Sequence, residues 1–382
     1  MPLPTTTYDT ATVLNPSSAL TDFTLMVDLS RMSAAWWAAA ENIDATNGRA
    51  AKDDGTELAC DWIDYTHGSP VGSGWLRVKW SGTLATSGTQ VLRIYPPVTG
   101  NGTVAPGDAL GSYNAYKAAQ DIYLPAMDGV DRLGNVSVGT QNNSPVSVAG
   151  KVGDGMNFDR SLSQTVTWPI GVSNFDVSGL DSFSFSCWFR DLGVSQLFGG
   201  SYTNRQTFFA NNKYPDYQFV MQRTEHGRLR FIVYNPARVP MHDFIGTVNV
   251  VDEQWHHVAF VKRATTAEIW LDGVLEASDT GGTTMSAGMS NRLTIAGTDS
   301  NVQFYKGDLN EGIGFKEDVS GAWIEQEYAQ TNSQAAFWGT WVNTAGASVT
   351  VGGPPFMGIG GVFPLLIAGT PVADVHLPLT HP

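Results

Sequence analysis

The chain has 382 residues, only 15% of them charged, and a formal net charge of −14. No Lys/Arg cluster offsets that charge, which argues against nonspecific binding to nucleic acid or anionic lipid and is compatible with cations or neutral glycans. With 41 Gly, 19 Pro and scarcely any charged helix-forming run, the composition predicts an all-β architecture with many turns.

Residues 1–97 read as a small β-sandwich. The opening MPLPTTTYDTATVLNPSSAL has no basic stretch leading into an apolar one, so it is not expected to act as a Sec-type leader. FTLMVDLS (23–30) alternates as a half-buried strand does, and SAAWWAAAEN (33–42) opens on a Ser cap and predicts one short helix. KDDGTELACDWIDY carries an Asp-Gly turn between extended runs. GWLRVKW (74–80) sets Trp75, Arg77 and Lys79 opposite Leu76, Val78 and Trp80, and TQVLRIYPP (89–97) alternates again. Residues 98–118, rich in Gly, Asn and Ala, read as a linker.

Residues 119–332 hold a second and longer β-region. Its strand candidates, among them SFSFSCWF, LRFIVY, WHHVAFVK, AEIWLDG and EGIGF, are mostly separated by Gly, Asn, Asp or Pro, the pattern of a large antiparallel sandwich. SGAWIEQEYAQT (320–331) predicts a short closing helix. Cys60 and Cys187 are read as two buried free thiols, because a chain of this size needs no staple. Residues 333–382 form an apolar, Gly/Pro-rich arm within a stretch, Tyr328 through Ala373, that has no charged side chain. Exposure of such a segment to water is costly, so it is expected to fold against the body or to meet a protein partner or a second copy. FMGIGGVFPLLIAG (356–369) is too short and too rich in Gly and Pro to span a bilayer.

WHHVAFV, a turn, AEIWLDGVL and an Asp-Gly turn resemble a signature of laminin-G-like modules of the concanavalin A-like lectin/glucanase superfamily. AGKVGDGMNFDRSLSQTVTW resembles the family's early strand pair, DSFSFSCWFR its next core strand, and GDLNEGIGFKEDVSGAWIEQEY its last strand and helix. The resemblance covers about 120–332 and implies two tandem β-sandwiches, the second a concanavalin A-like jelly roll. The first section, through LTDFTLMVDLS, DDGTELACDWIDY, GWLRVKW and TQVLRIYPP, resembles a domain of unknown function that often precedes such modules.

The site readings follow from these placements. His256 and His257 are neighbours on a strand and point to opposite faces, so they are read as scaffold, as is Asp272 in its turn with Gly273. The glucanase branch carries Glu-x-Asp-x-x-Glu or Glu-x-Asp-x-Glu along one strand, which places two carboxylates on one face. Here the nearest groupings are DEQW, NEGIGFKED and IEQEY, the last read as a surface helix, and no catalytic residue is assigned. The laminin-G resemblance implies a Ca²⁺ site at Asp159, Asn310 and Glu311, with Arg160 where Gly is common and Asn310 where Asp is common. Tyr202, Arg205 and Tyr234, in GGSYTNRQTFF and RFIVYNPARVPMHDF, are the candidates for a glycan ligand, with ordinary loop decoration as the alternative.

The function expected is a non-enzymatic structural or adhesion protein that displays a lectin-like domain. A phage virion protein, of the head-decoration or fibre kind, is preferred. The alternatives are a secreted bacterial carbohydrate-binding or cell-adhesion protein at the cell surface or outside the cell, and a divergent glycoside hydrolase.

Overall fold

A computed structural model of the chain describes residues 7–344, apart from 15, 17, 87–88, 169–174, 178, 194–204, 214–215, 236, 238, 283–284, 286–292 and 299–302, together with 366–367 and 370–371. The strands pair antiparallel into two sandwiches, as the turn-rich sequence implies. In the first, a five-stranded sheet runs in the order Val342–Thr344, Tyr8–Thr12, Val91–Tyr95, Arg49–Lys52, Glu57–Leu58. A three-stranded sheet runs Thr24–Asp28, Ser73–Lys79, Cys60–Thr66. Leu25, Val27, Leu76 and Val78 share one apolar core with Ala50, Leu92 and Ile94.

Helix α1 (Ala34–Ala39) packs into that core through Trp36 and Trp37. The Ser33 hydroxyl caps it by accepting from the Trp36 N–H at 3.0 Å, and the Trp36 indole donates to the Ile94 carbonyl at 2.9 Å.

The second sandwich stacks an eight-stranded on a seven-stranded sheet. The larger runs Val146–Ala149, Asp154–Phe158, Gly307–Phe315, Phe183–Asp191, Trp255–Arg263, Thr266–Leu271, Val274–Thr280, and Gln120–Leu124 also pairs with Gly307–Phe315. The smaller runs Thr140–Asn142, Thr165–Thr167, Leu293–Ile295, Gln206–Lys213, Asp216–Arg223, Arg228–Tyr234, Pro240–Asn249. Phenylalanines bridge the two sheets, with Phe185 stacked on Phe209 at 3.8 Å between ring centroids. Both cysteines are buried and free, and burial pushes the Cys60 thiol up to about 12.

A sandwich strand ordinarily shows water its outer face. Phe183–Asp191 does not: the outward Ser184, Ser186 and Trp188 are buried as fully as the inward Phe183, Phe185 and Phe189. The back of the larger sheet is covered by α2 (Gly321–Asn332), α3 (Gln334–Phe337) and the three-stranded sheet of the first sandwich. Ala259, Val261, Ile313, Phe315, Trp323 and Ile324 accordingly belong to the first sandwich's core.

The helices dock through side-chain amides on an open sheet edge. Gln330 accepts from the Met26 N–H at 2.8 Å and donates to the Thr24 carbonyl at 3.0 Å. Gln334 accepts from the Asp28 N–H at 3.0 Å and donates to the Met26 carbonyl at 3.0 Å. Gln330 lies on α2 and Gln334 opens α3, with the non-helical Ser333 between them; both amides face one strand edge, two residues of which advance about 6.6 Å. The two glutamines therefore reach successive hydrogen-bonding positions of Thr24–Asp28 and stand in for a missing neighbour strand.

Two segments differ from the sequence reading. Residues 98–118 form an ordered strap: its turns Thr99–Asn101 and Ser112–Asn114 lead to Ala115 and Tyr116, both buried in the first core. Gly and Asn, read as flexibility, here make tight turns and side-chain bonds to backbone, such as that from Asn101 to the Asn47 carbonyl at 2.9 Å. The arm expected from 333 begins inside the body. The Trp338 indole donates to the Met26 carbonyl at 2.9 Å, and Val342–Thr344 adds an edge strand beside Tyr8–Thr10. Among the described residues no helix is long and apolar enough to cross a membrane.

Replacing Gln330 by Leu keeps the side-chain volume and leaves the Met26 N–H and Thr24 carbonyl unpaired. At about 1–3 kcal/mol for each orphaned group, urea denaturation of Gln330→Leu is expected to show a clear loss of stability, whereas an unchanged midpoint would make the amide contacts incidental.

Candidate functional site

The histidine pair sits on Trp255–Arg263, with its side chains on opposite faces as read. His256 Nδ1 lies 2.7 Å from Asp272 Oδ2, and its Nε2 lies 3.1 Å from both oxygens of Asp252. The hydrogen bond to Asp272 raises the His256 pKa against a burial effect that lowers it, with Asp252 adding to the rise. Asp272 was expected to bond its own turn. At φ 50 it instead accepts the His257 N–H at 2.9 Å and clamps the neighbouring strand.

His257 is buried on the back face, tilted against Trp188 at 5.3 Å between centroids, with Nε2 3.5 Å from Glu327 Oε1. Glu327, in the IEQEY stretch read as a surface helix, is buried and also accepts the Ser186 hydroxyl at 2.7 Å. Burial works against its charge, but the bonds from His257 and Ser186 outweigh it and hold its pKa below the ordinary carboxylate range. α2 is wet only on the side away from the two sandwiches, so its acids divide between surface and interior, and the periodicity of a twelve-residue helix does not say which.

The residues assigned to calcium all make bonds within the protein. Asp159 caps the turn Arg160–Leu162 and accepts both the N–H and the hydroxyl of Ser161, at 2.8 and 2.7 Å. Those bonds lower its pKa. Asn310 lies where two strands, Gln120–Leu124 and Asp154–Phe158, meet end to end along Gly307–Phe315. Its amide oxygen accepts from the N–H groups of Lys151 and Val152, and its nitrogen donates to the carbonyls of Pro125, Val152 and Asp154, all within 2.8–2.9 Å. Glu311, at φ 58, is buried in an ion pair with Arg77 of the first sandwich. The register Phe158↔Gly307 puts Asp159 three to four strand positions from Asn310, roughly 10–13 Å. The three do not form one coordination sphere, and their donors do not fit a bound Ca²⁺. Among the described residues no group of three or more His, Cys, Asp and Glu is placed to hold a metal.

Of the glycan candidates, Tyr202 lies outside the described residues. Arg205 stands at the start of Gln206–Lys213, 3.6 Å from Glu225. Tyr234 ends Arg228–Tyr234. The registers Gln206↔Arg223↔Leu229 place them at opposite ends of the sheet, about 20 Å apart along the strands. The structure therefore does not join them into one subsite.

Between those ends lies an outer face that the sequence reading did not single out. One row across the seven-stranded sheet holds Thr167, Thr294, Ala210, Val220, Ile232 and Asp243, and the next holds Thr207, Gln222, Arg230 and Ile245. Ala210, Val220 and Ile232 make a small apolar strip with Tyr234 packed against it. Amide and hydroxyl groups flank the strip, and Gln222 Oε1 and Thr294 Oγ1 are buried without a hydrogen-bond partner. Asp243 is held by Arg230 in two bonds of 2.7 and 2.6 Å. Ala210, Val220 and Ile232 are only 0%, 5% and 5% exposed, so a ring reaches this strip and its unmet polar atoms only where the face is uncovered. The alternation that puts 218, 220 and 222 on one face was legible in YQFVMQ; which face would be outer was not.

Residues 159–325 match the family model of the concanavalin A-like lectin/glucanases superfamily. No curated protein matches the chain. Among solved structures the chain is similar to domain 4 of AbnA, a GH43 extracellular arabinanase from Geobacillus stearothermophilus in complex with arabinotriose, at 16% identity and TM-score 0.42, over 55% of this chain and 98% of that one. It is also similar to the botulinum neurotoxin serotype G binding domain, at 14% identity and TM-score 0.44, over 56% of this chain and 51% of that one. A third is the binding domain of Paraclostridial Mosquitocidal Protein 1, at 11% identity and TM-score 0.44, over 55% and 52%. The chain thus spans about half the length of the two toxin domains.

His256 yields a pH signature. Because its folded pKa is raised, its contribution is full below about pH 6.5, the unfolded value, and is lost as pH rises through the folded value. Denaturation midpoints of the wild type and His256→Gln, followed from pH 6 to 9, should differ most at the acid end and converge at the alkaline end.

Proposed function

We propose, taking as premise a jelly roll whose residues 159–325 match the concanavalin A-like lectin/glucanases superfamily, that this protein is a non-enzymatic glycan-binding protein. Its binding surface is the outer face of the seven-stranded sheet, which the ligand reaches by uncovering the buried Ala210–Val220–Ile232 strip. The observation that carries this reading is the pair of buried, unpartnered acceptors Gln222 Oε1 and Thr294 Oγ1 beside the Ala210–Val220–Ile232 strip. Two such atoms beside one apolar strip offer acceptors that a ligand's hydroxyls would meet. The carboxylate facing that strip, Asp243, is tied to Arg230, an arrangement that suits binding better than proton transfer.

A glycan array probed with the full chain should give a defined set of hits. Gln222→Ala and Tyr234→Ala should each weaken binding by about tenfold, or 1.4 kcal/mol, with the melting temperature little changed. Retained affinity in both variants would remove the site from this face, and release of reducing ends from a bound glycan would overturn the non-enzymatic part.

A second reading, a virion surface protein with an extracellular or cell-surface setting as its alternative, is favoured by one sequence feature. Residues 345–373 contain no charged side chain, and an apolar segment of that length is best stabilised by a partner. Truncation after Thr344 keeps the edge strand Val342–Thr344 intact. Loss of self-association or of incorporation into particles is the expected result; assembly unchanged by the truncation would exclude the role.

A further inference from the structure

A cleft of about 420 Å³ lies where the first sandwich, the 98–118 strap and the turn after Gln120–Leu124 meet. Its volume falls toward the lower end of the roughly 300–1,000 Å³ of small-molecule sites. At about 30 Å³ per water it corresponds to about 14 waters. Trp62 and Tyr113 supply aromatic surface, Thr46 and Ser112 hydroxyls, and Asp44 a carboxylate. None of these belongs to the jelly roll, and the outer-face reading makes no use of them.

The walls hold several formal charges, and most are neutralised in place. Arg49 spends its guanidinium on the carbonyls of Thr46, Gly48, Asn101 and Gly102 at 2.6–2.9 Å, with Glu57 at 3.1 Å. Asp131 accepts four backbone N–H groups, those of Tyr123, Leu133, Asn135 and Val136, at 2.8–3.2 Å. Asp61 takes Arg132 at 2.7 Å and the Tyr116 hydroxyl at 2.5 Å. What remains for a ligand is an aromatic wall, two hydroxyls and the exposed Asp44, which already accepts the Thr46 N–H at 2.9 Å. Thr46 Oγ1 is buried with no partner at all.

We propose that this cleft is a second ligand site, for an uncharged, hydroxyl-bearing ring of monosaccharide size. Apart from the exposed Asp44, whose charge water screens, the walls are compensated and offer an ion no buried counter-charge, so its desolvation would go largely unrepaid. An uncharged ring loses little on leaving water, covers Trp62 and Tyr113, and gives its hydroxyl protons to Thr46 Oγ1 and Asp44. The walls come from three segments, one of them in the second sandwich, so occupancy also ties the two sandwiches together and should raise the melting temperature.

The test uses the full chain, with saturation-transfer NMR and thermal melting against D-glucose and D-galactose, and against D-glucuronic acid and D-glucosamine as charged controls. Ser112→Trp fills the mouth and Tyr113→Ala removes an exposed lip; circular dichroism and melting of the unliganded variants check that each folds. The expected result is transfer from a neutral sugar with an upward melting shift, reduced at least about tenfold in apparent affinity by Ser112→Trp, reduced several-fold by Tyr113→Ala, and untouched by Gln222→Ala. No signal from either neutral sugar overturns the proposal, as does a preference for a charged control. Binding that survives both cleft variants and falls with Gln222→Ala assigns the ligand to the sheet face and likewise overturns it, leaving the outer-face reading intact.

Discussion

The arrangement depends on how an open sheet edge is closed. Thr24–Asp28 has a strand on one side only, and its other backbone groups would be buried unpaired beneath the helices. Gln330 and Gln334 fill that row with amide groups, each offering one donor and one acceptor as a peptide unit does. The chain does this across the break at Ser333 because the last turn of α2 and the start of α3 turn both amides to the same strand edge. The same helices cover the back of the larger jelly-roll sheet, so one set of contacts fixes both sandwiches.

Charge placement at that junction follows from the same geometry. Arg77 leaves Ser73–Lys79 on the face turned to the jelly roll, where it meets Glu311 and lies over the Tyr123 ring at 4.3 Å. A buried pair adds little net stability over an apolar one, yet losing one partner costs about 3–5 kcal/mol. Such a pair therefore acts chiefly to penalise other placements of the two sandwiches. Asn310 works similarly: five backbone groups converge on its amide at the gap between two strands that meet end to end, and an Asp there, having no donor, could not serve the three carbonyls. The family resemblance marked Asn310 and Glu311 as positions of interest, and in this chain they hold the structure together.

With the back of its larger sheet covered and its inter-sheet core filled with aromatic rings, the jelly roll has one further face, the outer side of the smaller sheet, where Ala210, Val220 and Ile232 are buried as well. There the polar atoms of Gln222 and Thr294 lie beside a small apolar strip, in contrast to the fully paired Asn310 on the other side of the molecule.

The sequence by itself determined the local elements. Alternation around Trp75–Trp80 and Phe183–Phe189, the Ser33 cap, the turn residues and the absence of a staple between Cys60 and Cys187 all follow from short-range rules, and they were enough for two sandwiches and for opposite-facing His256 and His257. Which outward faces meet water was decided only in three dimensions. Arg77, Ser186 and Glu327 occupy positions that read as solvent-facing, and they are buried because a second sandwich or a helix lies against them. The separation of Arg205 from Tyr234, the ordered strap at 98–118 and the cleft around Trp62 have the same origin. Periodicity encodes the side of an element to which a residue belongs, whereas what packs on that side depends on contacts between residues as far apart as Met26 and Gln330.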